Sequence, residues 1–420
     1  DRFVEVSLDR LTDRRLVEDS RTPAELLTAL QVRDNIAEYP ARTLVFLDEI
    51  QESPKAVSWM RALYEDHPEL AVVAAGSLLE VRAATGGFAF PVGRVTFRYL
   101  HPLSFFEFLG ALGRDVLLEH LRHAAQLARP LPPPVHAQAL ELLRDYVWVG
   151  GMPEAVMTWA SSASPVRVRE LQADLMQAFS EDIPKYETGP NRGVLDAVFS
   201  HLPHHYGLRF KYESFAPGYR SALMKSGLAA LEGAMLVRRA LPTSDVQPPL
   251  HERPNAAPKL LPLDVGLAGA GMAIPLTALR GGSLDQLLDG RMAEVLAGQL
   301  LISRQRRAVE PLYFWTAGKR GSEAEVDFLV PCAAGLLPIE VKAGAQGTLR
   351  ALHQLIGRSS IREAVRLWSG PLLVDRPTIR VNGVELGYTL RSLPLYLAET
   401  AVDLPRMEHP HEEGGAPAGS

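Results

Sequence analysis

Apolar residues recur along this chain with two periods, and the switches between them divide it. Residues 3–8, Phe3-Val4-Glu5-Val6-Ser7-Leu8, alternate apolar and polar side chains as a half-buried strand does. Residues 23–38 carry a helical period opened by Thr22-Pro23, a start signal. Short apolar runs at 43–47 and 70–75 predict buried strands, residues 55–65 a helix between them, and residues 94–100 a fourth strand. Strands alternating with helices over residues 1–110 predict a parallel α/β sheet. From Ser104 to about residue 186 the period is helical. It is interrupted by the stiff connector Arg129-Pro130-Leu131-Pro132-Pro133-Pro134 and by Gly150-Gly151-Met152-Pro153, a helix stop and restart. Residues 111–190 therefore read as a helical lid or linker.

Residues 191–270 predict a helix to about His201, a short one at 212–215, a longer one at 221–232, and a strand at 234–241, followed by a proline-rich loop to Pro258. Three helices and then a hairpin is the order of a winged helix. Residues 280–405 begin with an amphipathic helix. Strands follow at 312–315, 324–330 and 337–342, then a helix at 348–356 and further strands, which makes a second α/β domain. Residues 406–420 have no apolar period and read as a disordered tail.

Composition narrows the picture. The 420 residues carry 44 Lys and Arg against 49 Asp and Glu, a net charge of −5, so no global basic footprint of the kind that dominates nucleic-acid affinity is present. Cys332 is the single cysteine, which excludes an internal disulfide framework and multi-cysteine metal sites. No apolar run reaches the roughly 18 to 20 residues that span a bilayer, and the reading is cytoplasmic with no membrane partner. The chain opens at Asp1, already inside its first strand pattern and without a secretory signature, which predicts a fragment lacking its true amino terminus.

The first chemical signal is Leu44-Val45-Phe46-Leu47-Asp48-Glu49, four apolar residues ending in two carboxylates. A buried parallel strand delivers charged groups at its carboxyl end, where ligands of open α/β sheets bind. In a nucleotide hydrolase Asp48 would hold Mg2+ and Glu49 would orient the attacking water. A strand running into a solvated acidic turn has the same pattern. Ser77, ending the run Ala71-Val72-Val73-Ala74-Ala75-Gly76, is suited to a place beside that water. Arg94, after Pro91-Val92-Gly93, could act on a neighbouring subunit's phosphate, or be only a surface charge.

With Leu103-Ser104-Phe105-Phe106-Glu107-Phe108-Leu109 and Gly150-Gly151-Met152-Pro153-Glu154, these motifs resemble, in order, the prokaryotic AAA-superfamily ATPases whose carboxyl-terminal half is domain-of-unknown-function family 4143. Residues 259–267, Tyr313-Phe314-Trp315, Ala324-Glu325-Val326-Asp327-Phe328 and Pro338-Ile339-Glu340-Val341-Lys342 extend the likeness. The resemblance implies an ATP- and Mg2+-using P-loop NTPase core, acting as a homo-oligomer when intact. Those relatives open with a strand and a glycine-rich loop ending in Gly-Lys-Thr, which holds the phosphates. Gly318-Lys319-Arg320 does not supply it, and nothing else in the chain does. The expected core is thus a parallel sheet lacking its first strand, a central one, with ATP binding weak or absent.

The second signal is in the terminal domain. Alternation places Asp327 opposite Val326, Phe328 and Val330, and points Glu340 and Lys342 together, so adjacent strands can converge Asp327, Glu340 and Lys342. An amphipathic strand with a solvated charged face explains Glu340-x-Lys342 as well. The arrangement resembles restriction-endonuclease-like nucleases, in which Asp327 and Glu340 would hold the metal, Lys342 would activate water or stabilise charge, and Glu294 would be the accompanying helical glutamate. Arg304, Arg306, Arg307, Lys319 and Arg320 would flank the site. Arg220 and Lys225 could meet DNA from the winged helix, which could equally be a packing unit. His201, His204 and His205 read as a surface loop, Cys332 as packing, and Gly150-Gly151 as a backbone turn without a ligand. The first reading of function is thus an ATP-binding protein of the AAA superfamily acting on DNA; the alternatives are a metal-dependent nuclease regulated by the ATPase part and a non-catalytic interaction protein in which both sites are remnants.

Overall fold

The computed structural model describes residues 2–40, 42–76, 90–91, 93–182, 192–215, 218–254, 256–281, 288, 290–305, 310–318, 324–332, 335–342, 348–381 and 383–403. Its amino-terminal part is a parallel three-stranded sheet of β1 (Arg2–Ser7), β2 (Thr43–Asp48) and β3 (Leu70–Ala74), in that order. The crossovers are α1 (Leu11–Asp19), α2 (Pro23–Asp34) and α3 (Pro54–Asp66). Local chemistry sets the helix ends. The Thr22 hydroxyl accepts the Glu25 N–H at 3.2 Å, and Ser53 caps Ala56 at 3.2 Å with Pro54 in the first turn. Helix α2 stops before the expected residue 38 because Asn35 turns into the left-handed region, with φ 52°.

All three helices cover one face, where Val4, Val6, Val45, Leu47, Leu30 and Val57 form a core. The opposite face carries Phe3, 58% exposed and stacked on Phe46, and Val73, 47% exposed. The strand expected at 94–100 is not formed: those residues are irregular, and among the described residues no strand pairs with the outer edge of β3. An isolated extended segment without a ladder partner has nothing to hold it as a strand.

The motif beginning at Leu103 is a capping box. Ser104 accepts the Glu107 N–H, and Glu107 accepts the Ser104 N–H at 2.8 Å, opening α4 (Phe105–Ala111) with Phe105, Phe108 and Leu109 buried. Helices α5 (Asp115–Leu127), α6 (Pro133–Val149), α7 (Pro153–Ser162) and α8 (Pro165–Asp182) follow, then α9 (Arg192–His205) and α10 (Ser221–Gly233).

Strands β4 (Val237–Thr243) and β5 (Lys259–Pro262) form the hairpin expected of a wing, but β4 also pairs in parallel with β6 (Leu312–Thr316). They are one edge of an eight-stranded mixed sheet, with order β10-β13-β9-β8-β7-β6-β4-β5. It includes β7 (Glu325–Cys332), β8 (Gly335–Val341), β9 (Glu363–Trp368), β10 (Leu373–Asp375) and β13 (Thr389–Pro394). β11 (Thr378–Val381) and β12 (Val384–Gly387) form a separate hairpin. Helices α11 (Val265–Gly271) and α12 (Leu276–Gly281) lead to α13 (Gly290–Ser303) on one face of the sheet, and α14 (Arg350–Ile356) covers the other.

One apolar core runs from Phe105 to Ala401, so the lid, the three-helix segment and the terminal sheet are packed together rather than in separate units. The physical reason is the pairing of β4 with β6, which makes the hairpin part of the larger sheet.

Buried polar groups weld this core to the end of the amino-terminal part. Asp264 caps α11 through the Leu267 N–H at 3.0 Å and accepts the Gly151 N–H at 2.6 Å and the Gln299 amide at 3.2 Å. Gln299 also donates to Tyr146, whose hydroxyl donates to the Leu103 carbonyl at 2.7 Å. The Gly150-Gly151 turn thus has a packing role: a Cβ on Gly150 would lie 2.0 Å from the Asp264 carboxylate.

A second weld is titratable. Glu399 accepts the Phe106 N–H at 2.9 Å, and burial pushes its pKa up to about 7. A carboxyl whose folded pKa is raised contributes stability that is complete below about pH 4.5 and lost as pH rises through 7. Between pH 5 and 8 the melting temperature of wild type should therefore fall more than that of Glu399→Gln, whose amide cannot ionise. Parallel slopes in thermal melts would disprove this.

Candidate metal centre

Asp48 and Glu49 sit where the apolar run ending in two carboxylates placed them, at the carboxyl end of β2. The β2 end is locked on both sides: the Leu8 N–H donates to the Asp48 carbonyl at 3.0 Å, and the Ala75 N–H to that of Leu47 at 2.9 Å. Glu49 adopts φ 52° and ψ 46°, and its carboxylate accepts the Gln51 side-chain amide. Arg94 lies elsewhere. It pairs with Glu65 at 2.9 Å and stacks on Tyr64. Glu65 is in the last turn of α3, which returns from the carboxyl end of β2 to the start of β3, so Arg94 lies toward the amino ends of the strands and Asp48 at the carboxyl end of β2. Ser77 lies outside the described residues, as do Arg306, Arg307, Lys319 and Arg320. Arg304 is bonded to Asp403.

The terminal domain brings its candidates together. Helix α13 supplies Glu294, and β7 and β8 supply Asp327, Glu340 and Lys342. The alternation expected along β7 fails at a bulge. Tyr313 pairs with Leu329 and Trp315 with Val326, so β7 spends one more residue than β6 between those pairs. Val326 and Leu329 then face the core beneath α14, while Phe328 joins the core on the α13 side. The expected common face of Val326, Phe328 and Val330 is thereby broken. The β7–β8 ladder stops at Phe328 and Ile339, and just beyond it Asp327 accepts the Val341 N–H at 2.8 Å through its side chain.

One oxygen each from Glu294, Glu325 and Asp327 lies within 4.8 Å of the others, close enough for one cation. Glu340, 4% exposed, gives one oxygen to Lys342 at 2.6 Å, and its other oxygen is buried with no hydrogen-bond partner. Burial and the Asp327 charge push Glu340 up to about 7, and the same two causes push Glu294 up to about 8. Burial by itself would lower the pKa of Lys342, but Glu340 raises it.

A hard, all-carboxylate donor set with an orphaned buried oxygen fits Mg2+ or Mn2+.

Three residues of the cluster were not singled out by sequence. Glu325 lies two positions from Asp327. Lys259, 3% exposed, opens β5 and places Nζ 2.6 Å from Glu294 and 3.6 Å from Asp327, with a further ion pair to Glu325. Arg209 also pairs with Glu325, and both cations lie against the Phe314 ring, at 5.1 Å for Arg209 and 5.3 Å for Lys259. Burial opposes the Lys259 charge, and Glu294, Asp327 and Glu325 overcome it, raising the pKa. The readable signal was a lysine heading the apolar run Leu260-Leu261-Pro262-Leu263, since a charge in a buried strand demands partners.

Other candidates are placed without converging on this cluster. Arg220, the residue that precedes α10, and Lys225, on α10, are exposed. The histidines are on the last turns of α9 rather than in a loop, and His205 stacks on Phe215 at 4.4 Å. Cys332 packs against the large core.

Residues 1–109 match the family described as AAA domain, and residues 140–277 and 289–370 match two domains of unknown function, DUF8612 and DUF4143. No curated protein and no solved structure matches the chain. The chain thus carries an amino-terminal domain of the AAA superfamily and a carboxyl-terminal DUF4143 domain. The DUF8612 match runs from α6 into α12, across residue 190, in keeping with the shared core. No helix among the described residues is long and apolar enough to cross a membrane.

Proposed function

We propose that this chain holds, in its carboxyl-terminal domain, a divalent-cation centre for phosphodiester hydrolysis in nucleic acid, DNA first among the substrates. The observation that carries the reading is the convergence of Glu294, Glu325 and Asp327 beside the orphaned Glu340 oxygen. These carboxylates would hold the ion, which when bound supplies polarisation of a phosphoryl oxygen and a more acidic water. Lys342 keeps its side chain 27% exposed while paired to Glu340, so its ammonium can face a phosphate. Asp327 orients itself through the Val341 N–H, which fixes the carboxylate without consuming its other oxygen.

The test is Mg2+- or Mn2+-dependent cleavage of DNA and RNA by the 420-residue chain. Glu340→Ala and Lys342→Ala should each lower cleavage by roughly 100-fold, the scale of losing one acid–base or charge-stabilising group. Undiminished cleavage in both variants, or none in wild type with metal bound, refutes a hydrolytic role.

The amino-terminal half is read as the nucleotide-responsive partner, working as a homo-oligomer in the cytoplasm, with Asp48 on Mg2+ and Glu49 on water. In this reading Ser77 would assist that water, and Arg94 would reach across a subunit boundary once its Glu65 pair opens. Because these 420 residues contain no glycine-rich loop ending in Gly-Lys-Thr, they should bind Mg–ATP weakly or not at all. Tight magnesium-dependent ATP binding in a titration would overturn this.

A further inference from the structure

We infer that Lys259 is a tethered cation occupying the seat formed by Glu294, Glu325 and Asp327, and that a divalent ion enters this centre only by displacing the Lys259 ammonium. The inference rests on the reading of the cluster as a cation centre and adds the residue that controls its loading.

Position supports it first. Lys259 Nζ is 2.6 Å from Glu294 Oε2 and 3.6 Å from Asp327 Oδ1, and is ion-paired with Glu325 Oε1. Those are the three residues whose oxygens come within 4.8 Å of one another. A divalent ion at about 2.0 to 2.6 Å from such oxygens would have its centre in the volume the ammonium fills. Charge supports it second. The four carboxylates Glu294, Glu325, Asp327 and Glu340 face Lys259, Lys342 and Arg209, a deficit of one positive charge when all are ionised. A divalent ion added beside Lys259 reverses that balance. A divalent ion exchanged for Lys259 neutralises the cluster, and brings no second cation against it. The orphaned Glu340 oxygen, buried near Asp327, is the acceptor that the seated lysine leaves unused.

The exchange has a structural consequence. Lys259 begins β5, and its backbone bridges Arg209, whose side chain also holds Glu325. Two of the three cations on the carboxylates, Arg209 and Lys259, therefore come from the stretch that runs from the end of α9 to the start of β5. Loading a metal loosens that segment from the β7 end of the sheet.

The experiment uses the full chain. Mn2+ titration followed by electron paramagnetic resonance should show weak binding in wild type, absent in Asp327→Asn, and about tenfold or more tighter binding in Lys259→Met, a gain near 1.4 kcal/mol. Amine acylation of wild type, read by peptide mass spectrometry, should show Lys259 protected without metal and labelled when Mn2+ is added. If Lys259→Met does not fold, as judged by circular dichroism, the acylation result decides. Equal or weaker Mn2+ affinity in a folded Lys259→Met, or Lys259 still protected while wild type binds Mn2+, overturns the exchange and leaves the cation centre standing. Absence of Asp327-dependent Mn2+ binding in both wild type and folded Lys259→Met overturns the centre itself.

Discussion

Asp327→Asn is expected to weaken Mn2+ binding by roughly 100-fold or more while leaving the fold intact. Losing groups that merely orient metal ligands costs about 10- to 100-fold, and this substitution removes the charge of a ligand itself. The asparagine carbonyl can still accept the Val341 N–H now bonded at 2.8 Å, so the opening of the β7–β8 ladder is preserved. Lys259 keeps its shorter pairs with Glu294 and Glu325 and loses only the contact at 3.6 Å. Calorimetric titration with Mn2+, beside a thermal melt, separates the two effects. Unchanged affinity in Asp327→Asn would remove the aspartate from the centre, and a collapsed melting temperature would make it a structural residue first.

The largest effect on stability is expected at Asp264. Asp264→Ala should cost about 3–5 kcal/mol, the range for breaking one side of a fully buried charged network. Its carboxylate is the common acceptor for Gly151, Leu267 and Gln299, and alanine leaves those buried donors facing each other. Burial raises the Asp264 pKa and the hydrogen bonds pull it back, so the group is kept by its donors rather than by a cation. Asp264→Asn retains one acceptor but turns an N–H toward another donor, and should fall between wild type and alanine. Urea unfolding monitored by circular dichroism measures both. A loss under about 1 kcal/mol for alanine would mean that water replaces the carboxylate and that the weld is not structural.

The same two places show how far sequence reasoning reached. Asp327, Glu340 and Lys342 could be selected because period and residue type put carboxylates and a lysine on neighbouring strands, and Glu294 through the resemblance to restriction-endonuclease-like nucleases; the structure places the four near one another. Their geometry could not be read, because a single extra residue in β7 changes which side chains share a face, and nothing in a hydrophobic pattern marks a bulge. Lys259 and Arg209 were invisible as members for a different reason. They are 66 and 116 residues before Glu325 in the chain, and only the pairing of β4 with β6 brings their segment to the large sheet. The hairpin that looked like a wing had the right strands and the wrong neighbours.

Local chemistry was legible throughout the amino-terminal part: the Thr22 and Ser53 caps, the Ser104 capping box, and the strand ending in Asp48 and Glu49 all follow from short-range patterns of residue type. The strand expected at 94–100 was not realised, because a strand exists by pairing, and its apolar run carried no information about whether a partner edge was within reach. By itself, then, the sequence determined the elements that are stabilised within a few residues and the carboxylates that end them, since caps, periods and turns act over one or two turns of chain. Tertiary structure alone decided that three expected units share one core, that Asp264 joins Gly151 to Gln299, and that a lysine from a distant strand sits among the acidic side chains. Those outcomes depend on long-range pairing and on the need to match every buried charge with a partner, and neither is encoded at any one position.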